Sequence, residues 1–338
     1  MPDCNKKYFC AKTLFPAVLF HILKKSMLLK YSVFVFVFLT SFVYSTDYTW
    51  NAGDGDWGTG TNWTPVGVPG SGDNALLSTG AATVTITGTT SVNSLIVVNG
   101  AALNLAASLT ASSGISIAAT SQLICNAASV STGNITNAGT ITSSGAVINC
   151  SNFISSSTFT ASGASIISTS GHVDISGTFT HNSSTTICMS GVKSLSSTQE
   201  LYDLTIVSGV INFNNSIVLA GVLTVNNGAV LEIGANNLTA AGNVSNNGGT
   251  LTNVAGNISC SDFTSTGSFI SSGATAISTD GHVLIGGTYT HNNTTSLFMN
   301  GIKYLSSTVS LYNLSIVTGT VTLTNSLTLA GSLSVAGS

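Results

Sequence analysis

The side chains able to do acid–base, nucleophilic or metal chemistry are few and can be taken in turn. His172 and His181 have counterparts in His282 and His291, in a second copy of the same stretch. Matched imidazoles suggest metal binding, but a metal needs three or four donors converging on one point. No cysteine or carboxylate joins these histidines at ligand spacing, so they read as turn or ladder residues. Asp174, Glu200 and Asp203 form the nearest acidic group, and a glycan hydrolase or lyase needs such carboxylates gathered on one face. The second copy holds Leu284, Ser310 and Asn313 in their places, so nothing repeats that group. Asp54, Asp56 and Asp73 lie in a tryptophan-rich stretch whose DGDWGTG loosely resembles a calcium loop. It lacks the later acidic ligand and reads as a solvated acidic turn.

The cysteines point to packing rather than catalysis. Cys188 is matched by Phe298, so its slot is expected to take an apolar core filler. Cys150 and Cys260 match each other, Cys125 has no counterpart, and Cys4 and Cys10 lie near the start of the chain. Buried free thiols are expected rather than disulfides. Lys193 and Lys303 are expected outward at turns. Asn-x-Ser/Thr triplets at Asn134, Asn182, Asn243 and Asn313 are what chance yields in so Asn- and Thr-rich a chain.

The elements that must position these residues show in the internal repeat. Residues 168–225 match 278–335 without a gap, at an offset of 110, with more than half of the positions identical over the first thirty. The match extends upstream, with NCSNFISSSTF answered by SCSDFTSTGSF, and GNITNAGTIT by GNVSNNGGTLT with one residue inserted. The unit divides after glycines into pieces of about 18–20 residues, a length that one solenoid coil can occupy. Each piece holds two or three short stretches of alternating apolar residues separated by Gly, Asn and Ser. Alternation predicts strands and the small polar residues predict turns, while an apolar helical period is absent. The period is too short for a propeller blade. The near-constant piece length suits stacked coils, in which like residues sit above like.

The predicted fold is therefore all-β, a right-handed parallel β-helix (β-solenoid) with coils of about 19–20 residues. In such a stack the matched histidines are several coils apart and cannot share a metal, and His172 and His181 fall on different sides of one coil. The exposed strand edge at each end must be covered. Residues 47–80 hold all three tryptophans (Trp50, Trp57 and Trp63) together with Pro65 and Pro69, and are expected to cap the first coil. The solenoid itself is expected over residues 81–338, with the long repeat at about 133–225 and 242–335. The chain stops partway through a repeat, so truncation at the C-terminus is expected.

Composition narrows the partners. Only 6% of residues are charged, against about 25% in ordinary domains, and no arginine occurs. Beyond residue 45 two lysines face ten carboxylates, a formal charge of −8. Such a body cannot neutralise phosphates, so nucleic acid is excluded as a partner. The apolar run YSVFVFVFLTSFV follows Lys24, Lys25 and Lys30 and precedes Ser45, the layout of a secretory signal peptide. It is shorter than the roughly 20 residues of a membrane span. No stable span in the mature chain is expected, and export machinery is an expected partner. Residues 1–46 are read as an N-terminal extension plus signal, with translation starting at Met27.

The W…GDGDW…NW…VP…GD entry and the following Gly/Asn/Thr-rich coils resemble repeat-rich bacterial surface proteins of the autotransporter and filamentous-haemagglutinin-like adhesin kind. The units GTFTHNSSTTICMSGVKSLSS and GTYTHNNTTSLFMNGIKYLSS are especially similar to those of large secreted proteins carrying a type IX sorting domain. The resemblance covers about residues 48–338. It implies a secreted or outer-membrane-associated, non-catalytic structural or adhesin-like solenoid acting on a surface, glycan or protein target. No catalytic, cofactor-binding or metal residue and no cofactor is assigned. The alternatives are a polysaccharide lyase or hydrolase on a β-helix and, second, an ice-binding protein using flat threonine rows such as Thr83-Val-Thr-Ile-Thr.

Overall fold

Alternating apolar and small polar residues give the chain strands with one dry and one wet face. The only way to bury each dry face is against the rest of its own coil and the coils above and below. The computed structural model describes residues 45–336. They form a parallel β-solenoid of about 13 turns, 54% strand. The one helical element among them is a 3-10 turn at Gly60–Asn62.

Each coil passes through three ladders. The first runs through Ile148, Ile167, Ile187, Leu204, Leu223, Val244, Phe263, Val283 and Leu305, each paired in parallel with the next. The second runs from Ala75 through Leu95, Ile115, Ile135, Phe153, Val173 and Leu195. It continues past Phe213 into strands Val230–Gly234, Thr250–Asn253 and Ser268–Ser271. The third consists of two seven-stranded sheets, one ending at Phe179–Thr180 and the other starting at Ile217–Leu219. Between them it holds only Leu201, bridged to Leu219. Inward residues of all three ladders meet in one apolar core, in which Ile148, Phe153, Phe159, Leu204, Leu231 and Ile258 are fully buried.

Steps along a ladder vary in length, short from Ile187 to Leu204 and long from Val283 to Leu305. The repeat unit is not a whole number of coils. Five steps up the first ladder from Ile148 reach Val244. Two faces further along the chain comes Ile258, the repeat equivalent of Ile148, in the third ladder with Leu238. The unit thus spans five and two-thirds coils, and equivalent residues of the two copies lie on different faces. Phe153, for example, is in the second ladder and its match Phe263 in the first. Like residues still stack locally, as in Phe159 on Phe179 (4.9 Å, 10°) and Phe269 on Tyr289 (5.4 Å, 19°).

The tryptophan-rich segment closes the N-terminal end. Strand Asp47–Trp50 pairs antiparallel with Trp63–Thr64 and parallel with Asn74–Leu77, and Gly55–Asp56 heads the third ladder beside Val84 and Thr85. Trp63 is wholly buried, edge-on to Trp50 (5.0 Å) and Trp57 (4.7 Å). Its indole N–H donates to the Trp57 carbonyl at 2.9 Å. These rings join the same apolar cluster as Leu77 and Val84, so they cover the open end of the core. The expected signal segment, Met27, Cys4 and Cys10 lie outside the described residues. Among the described residues, no helix is long and apolar enough to cross a membrane.

Candidate functional site

The coil places Asp174 and Asp203 on different ladders. Asp174 points outward from the second ladder, between Ile154 and Ser196. Glu200 lies in the turn before Leu201, and Asp203 opens a strand of the first ladder, where its Oδ1 accepts the Val222 N–H at 2.8 Å. The cap acids hold backbone and hydroxyl donors. Asp54 accepts the Thr83 N–H (2.7 Å), Asp56 the Gly58 N–H (2.7 Å) and the Thr87 hydroxyl (2.6 Å), and Asp73 the N–H groups of Thr46 (3.0 Å) and Gly70 (2.8 Å). Carboxylates placed this way fasten turns to neighbouring coils. Among the described residues no three of His, Cys, Asp and Glu gather at metal-binding distance. Two shallow grooves on the second face, about 230 and 270 Å³, share Ser94 and Ile96. The first is lined by no carboxylate and the second by Asp47 alone.

The four cysteines among the described residues are all free and separate into two kinds. Cys125, Cys150 and Cys260 are buried, and burial pushes each thiol up to about 12. Cys188 departs from its expected place in the core. Strand Thr186–Met189 buries Ile187 and Met189, so Cys188 faces outward and is half-buried, as does Phe298 in Ser296–Asn300. The run Ile-Cys-Met is apolar throughout, so alternation alone did not say which of its members point in.

The histidines tie coils together. His172 Nδ1 accepts the Ser194 N–H at 3.1 Å and lies 2.8 Å from the Ser194 hydroxyl. His282 Nδ1 accepts the Tyr304 N–H at 3.0 Å, with the two rings stacked at 5.2 Å. In both, the neutral ring carries its proton on Nε2. His181 and His291 occupy a different setting. Each directly follows the last strand before a break in its ladder, at Thr180 in the third ladder and Thr290 in the second. Beneath them only Leu201 and Leu311 bridge onward. Tyr202 and Tyr312 follow those leucines, and the imidazole–phenol pairs have nearly the same geometry: 5.3 Å and 34° for His181–Tyr202, 5.3 Å and 32° for His291–Tyr312. His181 Nε2 also lies 3.4 Å from Glu200 Oε1. The tyrosines recur with the histidines, in LYDL and LYNL at the same offset of 110, a repeat that shows in the sequence without saying that the two rings meet.

Outward polar side chains form runs of coil-to-coil hydrogen bonds. Asn93 Nδ2 and the Ser94 hydroxyl both donate to Asn74 Oδ1 (2.8 and 2.7 Å), the Ser113 hydroxyl to Asn93 Oδ1 (2.7 Å) and Asn152 Nδ2 to Asn134 Oδ1 (2.7 Å). Asn152 Oδ1 then accepts the His172 N–H at 2.7 Å. Such rows fasten each coil to the next. Compared with known proteins, the chain matches no protein-family model, no curated protein and no solved structure.

Proposed function

We propose that this chain is a non-catalytic, exported scaffold displayed at a cell surface, whose polar faces serve adhesion or spacing. The observation that carries the reading is the use of its outward side chains. Amides, hydroxyls, cap carboxylates and His172 are spent on hydrogen bonds between coils, and Asp174 stands on the second ladder while Asp203 opens a strand of the first. General acid–base cleavage of a glycan needs two such groups within a few ångströms of one bond. The apolar run after Lys24, Lys25 and Lys30 supports export, and a body with two cations suits a neutral rather than an anionic partner.

The test is twofold. Protease treatment of intact cells expressing the full chain should release solenoid peptides, and beads carrying the purified protein should adhere to a cell or matrix surface. Neutral polysaccharides incubated with the chain should gain no reducing ends, and Asp174→Asn/Glu200→Gln/Asp203→Asn should behave like the parent. Cleavage abolished in that triple variant would establish the lyase or hydrolase reading instead.

One arrangement favours ice binding as a second reading. On the third face Thr140 stacks on Thr158, while Thr142, Thr160 and Thr180 form a parallel row. The rows are interrupted one coil earlier by Gln122 and Ile124. Thermal hysteresis lost in Thr142→Leu/Thr160→Leu would support this reading.

A further inference from the structure

Outside the core, one side-chain group recurs in both copies with its geometry intact. It comprises His181, Asn182 and Tyr202 in the first and His291, Asn292 and Tyr312 in the second. The loop beneath it is built rather than loose. Asn182 Nδ2 donates to the Ser162 carbonyl (2.9 Å) and Asn292 Nδ2 to the Ser272 carbonyl (2.6 Å). The next residues, Ser183 and Asn293, take left-handed backbone at φ 48° and 51°, a conformation that costs a non-glycine residue free energy. The imidazole and phenol rings are partly exposed, at a break in the ladder. In the first copy the His181 Nδ1 and the Ser184 hydroxyl are buried without a hydrogen-bond partner.

We infer that each repeat unit carries one saccharide-binding ledge, formed by His181 and Tyr202 in the first copy and by His291 and Tyr312 in the second, that takes an uncharged pyranose ring. This rests on the adhesion reading and names its ligand. A pyranose presents an apolar C–H face, which packs on aromatic rings, and an edge of hydroxyls, which the neighbouring amides and hydroxyls can meet. The one charge beside the first ledge, Glu200, is replaced by Ser310 in the second, so recognition common to both does not use charge.

The phase of the unit then decides valency. His181 follows the third ladder and His291 the second, five and two-thirds coils further on. At about 4.8 Å per coil the ledges are about 27 Å apart along the axis and face different directions. One straight glycan strand cannot lie on both, so each protein molecule joins two strands.

The test uses the full chain with maltohexaose, cellohexaose, xylohexaose and mannohexaose, and hexagalacturonate as the charged control, in titration calorimetry. At least one neutral hexamer should bind with two sites per chain, and hexagalacturonate should not. Tyr202→Ala or Tyr312→Ala should reduce the stoichiometry to one. The double variant should weaken binding at least about fivefold, the scale of an aromatic contact, while Tyr202→Phe should retain it. Long polymer of the bound type should turn turbid with the parent protein and not with either single alanine variant. Unchanged binding in the double variant, a single site in the parent, or no binding across the panel would overturn the inference. If the beads still adhere in any of those cases, the adhesion reading survives without it; if the beads fail to adhere, that reading fails by itself.

Discussion

Thr185 and Thr295 are repeat equivalents, and replacing each with valine should change stability in opposite directions. Thr295 Oγ1 donates to the Ser271 hydroxyl at 2.9 Å and also hydrogen-bonds the Tyr289 phenol. Ser271 is in turn 2.9 Å from Thr275 Oγ1 and 3.1 Å from the Gly273 carbonyl. In the first copy the places of Ser271 and Tyr289 are taken by Ala161 and Phe179. Thr185 has therefore lost both partners, and its hydroxyl is fully buried and unpaired. An unsatisfied buried hydroxyl costs about 1–3 kcal/mol, and a satisfied bond contributes about 0.5–1.5 kcal/mol. Valine has the shape of threonine with a methyl in place of the hydroxyl. On that scale Thr185→Val should stabilise by about 1–2 kcal/mol. Thr295→Val, which breaks two bonds, should destabilise by about 1–3 kcal/mol. Guanidinium unfolding gives the signs. Hydrogen exchange in strands Thr186–Met189 and Ser296–Asn300 localises them, because a stack of coils opens locally. Restoring the partners with Ala161→Ser/Phe179→Tyr should reverse the sign at residue 185 in a double-mutant cycle. Equal signs at the two positions, or destabilisation above about 1 kcal/mol by Thr185→Val, would refute the account.

The buried thiols give two further expectations. At pH 8, peptide mapping after maleimide treatment should find Cys188 modified and Cys125, Cys150 and Cys260 protected until guanidinium is added. Those three thiols are held at about 12, above their unfolded value, so the unfolded chain loses its protons first as pH rises. Their stabilising contribution is whole below about pH 9 and lost between about pH 9 and 12, at up to about 1.4 kcal/mol per pH unit for each thiol; a denaturant midpoint that stays level across that range would contradict this. Trp63→Ala should cost about 3–5 kcal/mol and raise hydrogen exchange first in Asn74–Leu77 and Thr83–Ile86. Gly209 has φ +79° and a Cβ there would strike the Gly191 backbone, whereas Gly228 at φ +76° faces open space. Gly209→Ala should therefore lower the unfolding midpoint well beyond Gly228→Ala, which carries only the roughly 1–2 kcal/mol left-handed penalty.

The sequence by itself determined the solenoid. Two-residue alternation, small polar corners and a short, nearly constant period favour stacked coils over a sandwich or a propeller, and three tryptophans ahead of the first coil foretold its cover. Both expectations hold, because they depend on local pattern and on residue types whose burial is strongly favoured. Three things were decided only by the tertiary structure. The phase of the repeat needs the coil length summed over five coils, and one residue of error per coil accumulates to nearly a whole face. The outward turn of Cys188 was hidden because parity cannot be read inside an apolar triplet. The isolation of Thr185 arises from Ala161 and Phe179, which are ordinary strand residues until the coils stack and place them where Ser271 and Tyr289 stand in the other copy.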